Sequence, residues 1–113
     1  QQYWVSVRLR LPDNFYSWDP VKPIELRYKT GVGTAANNHV TIRMKDTAGV
    51  DRPLSNGGGL ANTAFTTANV TGPEAGGTWA QKGYFTVYIK LATDNTGNAA
   101  VGFLNLNFET TTP

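Results

Sequence analysis

The chain has no cysteine and only one histidine, His39. Without cysteine there is no disulfide, no thiolate zinc site and no thiol redox couple. A lone histidine excludes a His-rich metal centre, and any Ser-His-Asp triad would have to use His39 itself. No nucleophile-elbow pattern accompanies it, and beside Asn37-Asn38 it reads as an exposed polar residue at a loop edge. Charge is sparse too: 16 % of the 113 residues are charged, ten cations against eight carboxylates, for a net of +2. That excess is too small to argue for nucleic acid. No apolar run approaches the ~20 residues that cross a bilayer as a helix. Nowhere do apolar residues recur at i, i+3, i+4 and i+7 over three turns, so no helix is predicted.

What the chain does have is alternation with period two. The clearest run is Tyr3-Trp4-Val5-Ser6-Val7-Arg8-Leu9-Arg10-Leu11. Tyr3, Val5, Val7, Leu9 and Leu11 point one way, and Trp4, Ser6, Arg8 and Arg10 the other, as a strand with one buried face requires. Ile24 to Thr30 repeats the pattern with Ile24, Leu26 and Tyr28 inward. His39 to Asp46 puts Val40, Ile42 and Met44 inward. Tyr84 to Leu91 does the same with Phe85, Val87, Ile89 and Leu91, and Ala100 to Glu109 with Leu104, Leu106 and Phe108. Between them lie turn signals. Pro12 ends the first run, Asp46-Thr47-Ala48-Gly49 reads as a turn, and Asp94-Asn95-Thr96-Gly97-Asn98 as another. Asp13 to Pro20 reads as an aromatic-rich loop. Val50 to Leu54 reads as a short edge strand, and Thr63 to Thr71 as a strand with a weak core face.

Seven or eight short strands, with turn signals every ~8–12 residues, predict an antiparallel β-sandwich. The long middle connection favours jelly-roll or Greek-key wiring over a meander. Length predicts one domain over residues 1–113, with 109–113 reading as the start of a tail or linker.

The order of these stretches resembles jelly-roll modules in predicted surface, filament and tail-fibre-like proteins of uncultivated bacteria and their phages. It runs from Leu11-Pro12-Asp13-Asn14-Phe15-Tyr16-Ser17-Trp18 and Ile24–Thr30 through Val40–Gly49 and Gly77-Thr78-Trp79. It finishes with Phe85–Leu91 and Ala100–Phe108. More distantly the chain is similar to jelly-roll carbohydrate-binding modules. The resemblance rests on strand patterns and turns, and it carries no functional residue across. It implies a non-catalytic role outside a cell, at a cell surface or on a virion. The strands, cations and aromatics suggest as partners copies of the chain or a neighbouring structural subunit, with a glycan as the alternative.

Four sets of residues are candidates for function. The first is the terminal strand, with Tyr3, Val5, Val7 and Leu9, which suits pairing with the edge of a neighbouring copy and, repeated head to tail, a filament; its competing role is that of an ordinary first strand in its own sandwich. The second is a basic face of Arg8, Arg10, Arg27, Lys29, Arg43 and Lys45, provided that the first three long strands share a sheet. The competing role of those cations is to guard exposed strands against aggregation. The third is a sugar platform of Tyr16, Trp18, Trp79 and Trp4, because sugars stack their C–H faces on flat rings. Phe15 and Trp18 have a competing role as anchors that plug the end of a sandwich. The fourth is a weak calcium candidate, Asp94, Asn95 and Asn98, whose competing role is Asx-turn bonding. No other cofactor is expected. The carboxylates are scattered, and Glu25 and Glu109 would face each other as a glycosidase pair only on neighbouring strands. No enzyme is expected.

Overall fold

The computed structural model describes residues 2–32, 34–74, 76–94 and 98–111. These form nine strands: β1 (Gln2–Arg10), β2 (Phe15–Trp18), β3 (Ile24–Thr30), β4 (His39–Lys45), β5 (Asp51–Arg52), β6 (Thr66–Val70), β7 (Tyr84–Ala92), β8 (Ala99–Leu106) and β9 (Phe108–Thr110). Every pairing between them is antiparallel. One sheet has the order β1-β7-β4-β5, a second β6-β3-β8, and a short third pairs β2 with β9. The all-β antiparallel architecture expected from the alternation is present, with nine strands in place of seven or eight.

The first two sheets lie face to face, β4 over β3 and β7 over β8. Their facing sides make the core. Ile24, Leu26 and Tyr28 of β3 and Val70 of β6 pack with Val40, Ile42 and Met44 of β4 and Phe85 and Val87 of β7. All nine are buried. The strict alternation of buried and half-buried positions along β3 is the signature that made the strand legible.

The extra strands come from one corner. Phe15–Trp18 is a strand, not a loop: Ser17 and Trp18 pair with Glu109 and Phe108. The register slips between Phe15 and Ser17, so both Phe15 and Trp18 turn inward and the period of two is broken. The last strand is split at Asn107. Its backbone N–H donates to Pro23 O at 2.8 Å, and its side-chain amide donates to Lys22 O and Glu25 Oε1. The β2–β9 pair thus continues the β3–β8 pair beyond a bend and closes one end of the sandwich.

The two long sides of the sandwich differ. Beyond β4 and β5, the segment 53–62 seals one side. Ile42 N–H donates to Gly57 O at 2.7 Å, Leu60 bridges to Val40, and Ser55 bridges to Thr71 in the other layer. Gly57 is buried there, and a Cβ on it would come within 2.9 Å of Ile42 Cγ2 and 3.0 Å of Val70 Cγ1. No such segment, among the described residues, seals the side bounded by β1 and β8.

Candidate assembly strand and basic face

β1 forms nine cross-strand pairs with β7, from Gln2 opposite Ala92 to Arg10 opposite Tyr84. Among the described residues it is an edge strand, with β7 on one side only. Its apolar side points in the direction the alternation predicts, yet little covers it. Tyr3 is 56 % exposed, Val5 49 % and Val7 43 %; Leu9, nearest the aromatic end, is half-buried. The cause is topological. With β4 over β3 and β7 over β8, the sheet β6-β3-β8 ends beneath β7, one strand short of β1. The place beside β8 and opposite β1 is empty among the described residues. Its rim is a run of half-buried apolar side chains: Ile89 and Leu91 of β7, and Ala99, Val101, Leu104 and Leu106 of β8.

β8 itself is the second edge. Its sequence, AAVGFLNL, contains no Lys, Arg, Asp, Glu or Pro. Those are the residues with which exposed edge strands are normally guarded. Period-two reading placed Leu104 and Leu106 on its inward side, but Phe108, expected with them, falls on β9 and is 39 % exposed. Which flank of β8 lies open depends on strand order, which alternation does not encode.

The outward face of the four-stranded sheet is basic and aromatic. Register sets three rows across β1, β7 and β4: Trp4, Lys90 and Thr41, then Ser6, Tyr88 and Arg43, then Arg8, Thr86 and Lys45. Cations lie over rings here: Lys90 Nζ is 5.6 Å from the Trp4 ring centre, Lys45 Nζ 5.5 Å from Tyr88, and the Arg8 guanidinium 4.9 Å from Tyr84. Such contacts hold the charges in place while leaving them wet. A shallow basin of about 380 Å³ is lined by Trp4, Arg43, Lys45, Asp51 and Tyr88. Arg10, at the end of the same face, pairs with Asp13 at 3.2 Å.

Arg27 and Lys29 do not join this face. The basic set expected from the alternation needs the first three long strands in one sheet, but β3 pairs with β6 and β8, in the opposite layer from β1 and β4. Arg27 and Lys29 therefore look out from the other side of the molecule, where both lie over Phe65 at 5.3 and 5.4 Å. Lys90, which the alternation of residues 84–91 also turns outward, takes their place on β7.

The four candidate platform rings do not form one exposed surface. Trp18 is 2 % exposed, and Trp79 is half-buried with its Nε1–H donating to Pro73 O at 2.8 Å. They meet edge to face at 5.1 Å within a cluster that includes Phe15, Phe85 and Phe108. Trp18 and Trp79 are thus packing anchors, and Phe15 and Trp18 occupy the plug role that competes with a platform. Edge-to-face contacts add about 0.5–1.5 kcal/mol each beyond area burial. The Trp18 Nε1–H is buried with no acceptor among the described residues. Tyr16, on the same strand, points outward and is 67 % exposed. Trp4, 49 % exposed on the basic face, is the accessible tryptophan.

The polar candidates are engaged in structure. His39 Nδ1 lies 2.9 Å from Ala35 O. Glu25 accepts from Asn107, and Glu109 accepts from Ser17 at 3.3 Å. Asp94 accepts from Asn38 Nδ2 at 3.1 Å, Asn98 is exposed, and Asn95 lies outside the described residues. Among the described residues no group of three or more His, Cys, Asp or Glu side chains is placed to hold a metal ion.

Two turns depend on carboxylates. Asp46 is buried; burial raises its pKa. Backbone N–H bonds from Thr78, Val50 and Ala48, with the charge of Arg52, outweigh that and hold it below the usual 3.8. Asp19 is lowered by the N–H groups of Lys22 and Val21, both 2.8 Å away.

Comparison with family models, with curated proteins and with solved structures finds no match to this chain. Among the described residues no helix is long and apolar enough to cross a membrane.

Proposed function

We propose that this chain is a non-enzymatic structural module that works outside a cell or on a virion and acts by joining to copies of itself through β1. The observation that supports this is the exposure of β1. A nine-residue edge strand turns an alternating apolar side toward an empty place beside an unguarded second edge. A long apolar edge of this kind is a site of strand pairing between chains. The test is the mass in solution of the full chain, measured by light scattering over a range of concentrations. The expected result is association that the double variant Val5→Lys/Val7→Lys abolishes. Both valines are exposed, so these changes leave the core intact. A wild-type chain that stays monomeric at millimolar concentration overturns the proposal.

A second reading, contact with an anionic glycan, is favoured by one observation: the outward side of the same sheet. There Arg8, Arg43, Lys45 and Lys90 surround Trp4 and Tyr88, with Asp51 as the carboxylate at the rim. The rings already carry a cation over one face, so charge would lead the attraction and stacking would follow. Retention on sulfated or carboxylated polysaccharide, lost with rising salt, supports this reading. Equal retention on a neutral polysaccharide contradicts it.

A further inference from the structure

The two open features of the molecule, the overhang of β1 and the open place beside β8, have the same width. Each is one strand wide, and both lie on the same side of the sandwich. They also run in the same direction. Gln2 pairs with Ala92, Ala92 with His39, and Ala99 with Thr30, which ends β3 as His39 begins β4. These residues share one end. Arg10, Tyr84, Lys45, Ile24 and Leu106 share the other. β1 and β8 both travel from the first end to the second.

We propose that two copies interlock about a two-fold axis parallel to the strands, each laying its β1 beside the partner's β8 and face to face with the partner's β1. This rests on the reading of β1 as an assembly strand and specifies its partner. A half-turn about such an axis moves the four-stranded layer of one copy level with the three-stranded layer of the other. The overhang of each then fills the open place of the other. Each layer becomes a seven-stranded sheet in which β1 runs parallel to its new neighbour. The two stripes of Val5, Val7 and Leu9 meet across the spacing of about 10 Å usual for packed sheets. The contact is isologous and closed, so it stops at two copies.

Three properties favour this occupant. No charge sits on the strand that would adjoin β1: β8 has no charged residue, and Arg8 and Arg10 would lie beside Phe103 and Asn105 on the shared outer face, with Glu25 and Arg27 of β3 one strand further on. The area suffices: a strip roughly 30 Å long and 20 Å broad on each copy hides on the order of 1,200 Å² in total, above the ~1,000 Å² that marks a specific interface. The obvious rival covers less. Two β1 strands pairing antiparallel, edge to edge about Ser6, would leave both apolar stripes and both β8 edges open.

The absence of native cysteine makes cross-linking clean. Ser6→Cys and Phe103→Cys, both on outward faces, are made separately and mixed, then treated with a short bis-maleimide. The interlocked pair predicts a mixed dimer, joined from the thiol of the Ser6→Cys copy to that of the Phe103→Cys copy. It also predicts no disulfide dimer of Ser6→Cys alone, since the two Ser6 residues lie on opposite outer faces. Rapid disulfide formation by Ser6→Cys overturns the interlock in favour of edge-to-edge pairing while leaving β1 as the assembly strand. Absence of the mixed cross-link in a chain that still associates overturns the interlock alone. Unlimited growth with concentration does the same, because it shows an open contact. A monomer at every concentration overturns both this inference and the reading it rests on.

Discussion

Val7 and Val87 stand directly opposite each other on β1 and β7, on the same side of one sheet, yet Val7 is 43 % exposed and Val87 1 %. The difference is what lies beneath. Val87 sits over β8, and Val7 sits over the place where the other layer has already ended. Val87→Ala is expected to cost about 2 kcal/mol at any protein concentration. Val7→Ala is expected to cost within roughly 0.5 kcal/mol in dilute solution. Its cost should then grow with concentration, because a contact between copies stabilises by mass action. Chemical denaturation of both variants at two widely separated concentrations checks this. An unchanging Val7→Ala effect contradicts the assembly role.

The aromatic corner separates two neighbours of the same strand. Trp18→Ala removes the centre of a five-ring cluster and is expected to cost about 3–5 kcal/mol. Tyr16→Ala, two residues away on the outer face, is expected to stay within roughly 0.5 kcal/mol. Urea unfolding followed by circular dichroism distinguishes them. Equal effects would contradict the packing described for Trp18.

Asp46 ties its own turn to the segment at Thr78. Its Oδ1 accepts from Ala48 and Val50 at 2.9 and 3.0 Å, and its Oδ2 accepts from Thr78 at 3.0 Å. Asp46→Asn is expected to cost roughly 1–3 kcal/mol, since one acceptor is replaced by a donor facing a backbone N–H. Its folded pKa lies below the ordinary 3.8. Its contribution is therefore complete above the unfolded value and fades as pH falls through the folded one. Thermal unfolding of wild type below about pH 4 should thus fall more steeply than that of Asp46→Asn. Parallel pH profiles would contradict the assignment.

On the basic face, Arg43→Ala and Lys90→Ala should each weaken retention on a sulfated polysaccharide by several-fold, and more at low salt than at high. Arg27→Ala and Lys29→Ala, on the opposite face, should leave it unchanged. Affinity electrophoresis of the four variants decides the matter. Equal loss from both faces would show a diffuse charge effect and no site.

The long strands were legible because each has one buried face. β3, β4 and β7 begin where alternation places them, and β7 runs only to Ala92, one residue past the expected Leu91. β2 was not legible, because the register slip between Phe15 and Ser17 turns two aromatics inward and breaks the period. The break at Asn107 was hidden by alternation that continues through it. Sheet membership lies further still from local pattern. Arg27 and Arg43 sit on similar-looking strands yet face opposite ways, because β3 and β4 belong to different layers. The same limit applies to β1: alternation shows that Val5 and Val7 share a face, and only the strand order of the opposing sheet shows that the face is open.

Residue-resolved amide hydrogen exchange, run on the full chain at high and low concentration, tests the assembly role of β1 most directly. Protection along β1 and β8 should rise with concentration, while β4 in the core stays constant. Exchange at β1 and β8 that is fast and identical at both concentrations would contradict it.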